Sequence, residues 1–197
     1  LLESVIANSE VKLNDMLVGD KNALMIGTRI LGYGKEYWTN ITDPDTKEKV
    51  EHCVDLTTLK HKEVDSKLME NGNKFEFELP NSKRVIEFKL LTHKDEKDFN
   101  EEMKSYEKAE ELTGISMNLT TRLKYQIVSI DGDTNKKTIN NFIDNEFLAL
   151  DSRAFRAHYD KVNPDIELKF DYTSQTGNVH KVDVPLGTEF FWPAARE

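Results

Sequence analysis

An α+β fold of short helices and separate antiparallel β-hairpins is what this sequence predicts, and three observations carry it. First, Leu168 to Trp192 reads as a hairpin that ends in an aromatic anchor. Leu168, Phe170 and Tyr172 alternate with Lys169 and Asp171, Ser174 to Asn178 form a polar turn, and Val179, Val182 and Val184 return. Second, Tyr37, Trp38 and Ile41 lead into a DPDTKEK turn and Val50, Val54 and Leu56 return, the same plan earlier in the chain. Third, each of these hairpins follows a short helical run, Asn22 to Leu31 and Ser152 to Val162. The expectation is therefore a helix-plus-hairpin unit used twice, with a helical middle between the copies.

The elements follow in order. The apolar residues of the first seventeen positions have the spacing of two short amphipathic helices broken near Asn8 and Ser9. Asp20 has the chemistry of an N-cap, and Gly32 with Gly34 stops the helix it opens. Residues 35 to 56 make the first hairpin, and His61 to Gly72 make a charged connector with a helical turn near Val64 to Met69. Phe75, Phe77 and Leu79 alternate with Glu76 and Glu78, Pro80-Asn81-Ser82 turn, and Val85 to Leu91 return, giving a central hairpin over 74 to 92. Asp95 to Leu112 is a charged helix closed by Gly114, and its charge run reads as a solvated face. Asn118 to Ile130 places Leu119, Leu123, Ile127 and Ile130 on one helical face, although Tyr125 to Ile127 also suits a strand. Thr138 to Phe147 and Asp151 to Val162 are helices, and Pro164 ends the second. The composition step near residue 93 divides the chain into a lobe of 1–92 and a lobe of 93–197, or marks two parts of a single domain.

The totals narrow the function. A chain of 197 residues can bury about 70% of its unfolded surface. A net charge of −9 opposes binding to phosphate backbones or to anionic membrane surfaces, and no apolar run is long enough to span a bilayer. Cys53 has no second cysteine to pair with, which points to a reducing compartment and makes the sequons at Asn40 and Asn118 accidental. Leu1 is not an initiator Met and opens on an apolar pair, so a preceding segment is expected.

Chemistry-bearing constellations mostly fail. Asp131, Asp133 and Asn135 begin like a calcium loop, but Lys136 and Phe142 stand where Gly and a bidentate Glu are needed, which leaves a polar turn and a helix cap. Asp43 and Asp45 are accounted for by turn chemistry. His52, Cys53 and His180 are too few for zinc, and His52 and Cys53 point to opposite faces of a strand. No nucleophile elbow, phosphate-cradling loop or acid/base pair is visible, so neither a cofactor nor a metal is expected, and a small metal-dependent or hydrolytic enzyme is the minor alternative. What remains is aromatic: Phe190, Phe191, Trp192 and Pro193 at the end of the chain, with Tyr37 and Trp38 in the first hairpin, are the candidates for a protein interface.

These residues also carry a resemblance. TRILGYGKEYW (Thr28 to Trp38), VDLTTL (Val54 to Leu59), the S-x-D-G loop at Ser129 to Gly132, FIDNEFLALDSRAFR (Phe142 to Arg156) and VPLGTEFFWP (Val184 to Pro193) occur in an order that resembles the T4-type bacteriophage baseplate protein family, over roughly 10–193. Members of that family carry Cys pairs in the two hairpins, whereas only Cys53 stands here. The resemblance implies a non-enzymatic subunit of the baseplate hub of a contractile tail, or a factor that assembles the hub and is absent from the virion. It implies assembly in the host cytoplasm, residence in the tail baseplate, and other hub or tail proteins as partners. A homo-oligomer on a symmetric ring is expected of such a part.

Overall fold

The computed structural model describes residues 2–8, 10–62, 64, 66–70, 72–113 and 116–193. In chain order its elements are α1 (Leu2–Val5), α2 (Val18–Tyr33), β1 (Glu36–Thr42), β2 (Lys49–Asp55), β3 (Phe75–Glu78), β4 (Val85–Phe88), α3 (His93–Thr113), α4 (Asn118–Gln126), β5 (Ile127–Ile130), α5 (Lys136–Asn141), α6 (Ala149–Val162), β6 (Lys169–Thr173), β7 (Val179–Asp183) and α7 (Thr188–Phe191). Three-residue and four-residue 3₁₀ turns lie at Leu13–Asp15, Leu56–Thr58 and Ser66–Met69. The fold is α+β, and every sheet is antiparallel.

The chain forms two units, neither continuous in sequence: Leu1–Asn8, Gly19–Lys62 and Pro164–Glu197 make the first, Ser9–Val18 and Glu63–Asn163 the second. The division expected at 92/93 therefore falls inside the second unit. The composition step there marks only the passage from a sheet strand to a solvated helix. A helix followed by a hairpin occurs twice along the chain, as α2 with β1 and β2 and as α6 with β6 and β7. Both hairpins belong to the first unit, but α6, the helix ahead of the second hairpin, packs in the second unit.

In the first unit, β1 pairs with β2 and β6 with β7, each as an isolated hairpin. A two-stranded hairpin is marginal alone, so each depends on what its apolar face covers. Strand β1 alternates strictly between exposed and buried, which sends Tyr37 and Ile41 inward. They join Ile26 of α2, Val54 and Leu56, Phe170 and Tyr172 of β6, Val184 and Phe190 in one core. Helix α2 ends because Gly34 adopts φ +81°, a left-handed position open to glycine, and its amide donates to Ile30 O at 2.9 Å. The helix starts two residues ahead of Asp20, which lies in the first turn instead of capping it. Gly19 is required by packing: a Cβ there would sit 1.8 Å from Pro164 O.

In the second unit, β3, β4 and β5 form a three-stranded sheet in that order. The central hairpin is thus not isolated. The stretch from Asn118 is helical only to Gln126, after which the β-branched run Ile127-Val128 leaves the helix and pairs with β4 across a bulge at Glu87/Phe88. Leu79, Ile86, Phe88, Leu123, Ile130, Phe142 and Phe155 are among the residues of its core. Asp151, fully buried in the first turn of α6, accepts from Asn81 N at 2.8 Å, Asn81 Nδ2 at 2.9 Å and Ser82 N at 3.0 Å, fastening the β3–β4 turn. Asn135 caps α5 as its sequence suggests, accepting from Lys137 N at 2.9 Å, and the helix runs on into a wide π-type turn over Phe142–Glu146. Of the two helices expected in the first seventeen residues, the second is only the turn at Leu13–Asp15. Its flank is held by tertiary bonds, Val18 N to Leu91 O at 3.0 Å and His93 N to Met16 O at 2.8 Å. Gly114, the expected stop of α3, lies outside the described residues.

Candidate functional site

The expected interface residues separate into a buried base and an exposed tip. Tyr37, 2% exposed, donates from Oη to Pro185 O at 2.7 Å and meets the Phe190 ring edge to face at 5.0 Å. Phe190 is 0% exposed. Both are core residues in this chain, which corrects their assignment to a partner surface: an alternating strand and a one-turn helix each turn one aromatic inward. Phe191 is half-buried against the same core, with its ring 5.0 Å from Phe190 and 6.1 Å from Trp192. Trp192 is 63% exposed, Trp38 is 43% exposed on the outer face of β1, and Pro193 is exposed. An exposed indole seated on a stepwise series of buried rings is held in place without being used up by the core.

Arg29 braces the same corner. Only 4% exposed, its guanidinium donates to Gly34 O at 3.3 Å and Glu36 O at 3.4 Å and lies over the rings of Tyr33 and Tyr37, at 5.0 and 5.7 Å. Its side chain reaches past the end of α2 to the Gly34 carbonyl, and burial pushes its pKa down. The hydrogen bonds to carbonyls fix the turn from α2 into β1, and so the direction of the strand that carries Trp38.

The largest departure from the sequence reading lies at the hairpin tips. Asp43 and Asp45 do shape their own turn, since Asp45 N and Thr46 N donate to Asp43 Oδ1 at 2.8 and 3.0 Å. They also reach across to the other hairpin. Asp43 Oδ2 accepts from Tyr172 Oη at 2.9 Å and Gln175 N at 3.0 Å. Asp45 Oδ2 accepts from Ser174 Oγ at 2.6 Å, from Asn178 Nδ2 at 3.1 Å and from the Thr176 hydroxyl, and His180 Nε2 lies 3.0 Å from Oδ1. Burial pushes the Asp43 carboxyl up, but the donors at Thr46, Gln175, Asp45 and Tyr172 outweigh it and hold the group at about 2. The hydroxyls of Ser174 and Thr176 and the amide of Asn178 hold Asp45 well below the usual carboxylate range. The two hairpins are thus locked tip to tip by a pair of carboxylates saturated with donors. A D-x-D turn and an S-x-T-x-N turn in separate hairpins were the available signal, but each is explained by its own turn, so neither sequence announces the other.

His52 and Cys53 are engaged in the packing of the first unit. His52 stacks on Phe170 at 5.2 Å and meets Tyr172 edge to face at 5.2 Å. Cys53 is half-buried, opposite Trp38 in the hairpin register. Among the described residues, no three His, Cys, Asp or Glu side chains are grouped to hold a metal. A groove of about 730 Å³ on the second unit, floored by Ile127 and Ile139, is edged by Lys89 and Asp95, already joined at 2.7 Å, and by Glu102, which accepts from Tyr106 and Tyr125 at 3.1 and 3.0 Å. Burial and Glu102 push the Tyr125 hydroxyl up to about 12, so it stays a neutral donor. Among the described residues, no helix is long and apolar enough to cross a membrane.

Compared with family models, with curated proteins and with solved structures, the chain has no match in any of the three.

Proposed function

We propose that this chain is a non-enzymatic structural or assembly component of the baseplate hub of a contractile phage tail, acting through protein–protein contacts. The observation that carries the proposal is the end of the chain, where Trp192 stands 63% exposed on a base formed by Phe191 and the buried Phe190–Tyr37 pair. Rigid, partly exposed aromatics on a fixed base are the residue type that dominates binding energy at interfaces. The order of motifs from Thr28 to Pro193 supplies the identity of the assembly, and the acidic surface suits a part that meets proteins and not nucleic acid. On this reading the chain works in the host cytoplasm during assembly and resides in the tail baseplate, with other hub or tail proteins as partners. The test is complementation of tail assembly with Trp192→Ala. The variant is expected to fold with an unchanged melting temperature and to enter tails poorly. Full incorporation of Trp192→Ala would remove the aromatic tip from the reading.

A further inference from the structure

Helix α6 packs on the β3–β4 hairpin, and one side chain in that seam can change charge near neutral pH. His158 stacks on Phe77 with ring centres 4.5 Å apart and 21° between the planes, and meets Phe88 nearly at right angles at 5.7 Å. Phe88 is fully buried and also meets Phe155 and Tyr159 of the same helix, so the imidazole belongs to a continuous run of rings. The register Phe75↔Phe88 and Phe77↔Ile86 puts these strand residues on one face of the hairpin. Glu76, Glu78 and Glu87 alternate onto the other face, where Glu87 accepts from Ser129 Oγ at 2.6 Å, so neither strand turns a carboxylate toward His158. On α6 itself the charged neighbour is Lys161, one turn on, while Tyr159 Oη accepts from Leu91 N at 3.1 Å. Stacking on a ring favours a charged imidazole, but burial and the Lys161 ammonium both disfavour it and push the group below its ordinary 6.5.

We infer that His158 is a proton-sensitive element in the seat of α6: as a neutral ring it completes the stack between helix and hairpin, and its protonation in mild acid loosens α6 from β3 and β4. A proton added there puts a charge between Phe77 and Phe88 with Lys161 as its charged neighbour and no carboxylate from either strand to meet it. Because the folded chain holds the group below its unfolded value, this part of the stability is fully present above about pH 6.5 and declines as pH falls below it. The other described histidine of the second unit, His93, stands outside the run of rings with Nδ1 3.8 Å from Glu96 Oε2, which makes it the control. The inference is independent of the baseplate reading, since it concerns the purified chain alone.

The experiment is native-state hydrogen exchange of the full chain at about pH 7.5 and about pH 5.5, a range in which histidine is the side chain that titrates. Protection in β3, β4 and α6, corrected for the intrinsic pH dependence of exchange, is expected to fall at least about twofold in the wild type. His158→Phe keeps a ring in the stack without a charge, and its protection there should stay level between the two conditions. Should phenylalanine overfill the seam, His158→Gln gives the same test, because it too must lack the acid response whatever its protection at neutral pH. His93→Gln should respond as the wild type does. In a proton resonance titration of the wild type, the His158 ring should titrate below 6.5. No fall in the wild type, an equal fall in both His158 variants, loss of the response in His93→Gln, or a His158 midpoint at or above 6.5 would each overturn the inference.

Discussion

Replacing Phe190 by alanine tests whether the end of the chain is anchored as described. Phe190 is 0% exposed, touches Tyr37 edge to face at 5.0 Å and Phe191 at 5.0 Å, and belongs to a helix of only four residues. A helix that short has almost no stability of its own, so packing must hold it. Removing a buried phenylalanine costs about 3–5 kcal/mol, from lost transfer and from the cavity left behind. Helix α7 is short enough to settle partly into the gap, which favours the lower end, about 3 kcal/mol. For a chain of this size that is a fall in melting temperature of roughly 6–12 °C, read by calorimetry or by circular dichroism. If the two units melt apart, only the transition of the first should move. Trp192→Ala, two residues on and 63% exposed, should stay within about 0.5 kcal/mol of wild type. Equal losses for the two variants, or no loss for Phe190→Ala, would refute the division into a buried base and an exposed tip.

Other expectations follow from the same structure. Asp43 has a folded-state pKa of about 2 against an ordinary 3.8, so its contribution is fully present above about pH 4 and is lost as pH falls through 2. Asp43→Asn would place amide hydrogens against the Tyr172 and Gln175 donors. It should lower the stability of the first unit at neutral pH and make the decline between pH 4 and 2 shallower in acid titrations followed by near-ultraviolet dichroism; an unchanged acid profile would count against the clasp. Gly19→Ala should destabilise by about 1–3 kcal/mol, because its Cβ collides with backbone at Pro164 and not with a movable side chain. A melt equal to wild type would show that the two segments can separate there at no cost.

Much of the fold was legible because local chemistry agreed with it. The alternation in Phe75-Glu76-Phe77-Glu78, the DPDTKEK turn and Pro164 after α6 each leave one reading. The errors arose where tertiary contacts decided between two adequate local states. Ile127 to Ile130 suits the face of a helix as well as a strand, and it became β5 because β4 offered an unpaired edge. The helix ahead of the second hairpin is legible in its spacing, but which unit it packs in depends on Phe155 meeting Phe88, a contact no spacing encodes. At the candidate site, the aromatics were visible as a cluster of residue types. Which of them are buried was not, because Tyr37 and Phe190 are 153 positions apart and meet only in the fold. The clasp of Asp43 and Asp45 was hidden for the same reason: sequence shows two satisfied turns, and only the fold brings them together.

The central claim, that the chain is a part of a phage tail hub, is tested most directly by quantitative mass spectrometry of purified tails from phage carrying this sequence. The account predicts a reproducible, small integer ratio of this chain to a known baseplate protein. Its absence from particles, with tails failing to assemble when the chain is deleted, would make it a transient assembly factor of the same hub. Absence from particles together with normal assembly in the deletion would contradict the claim.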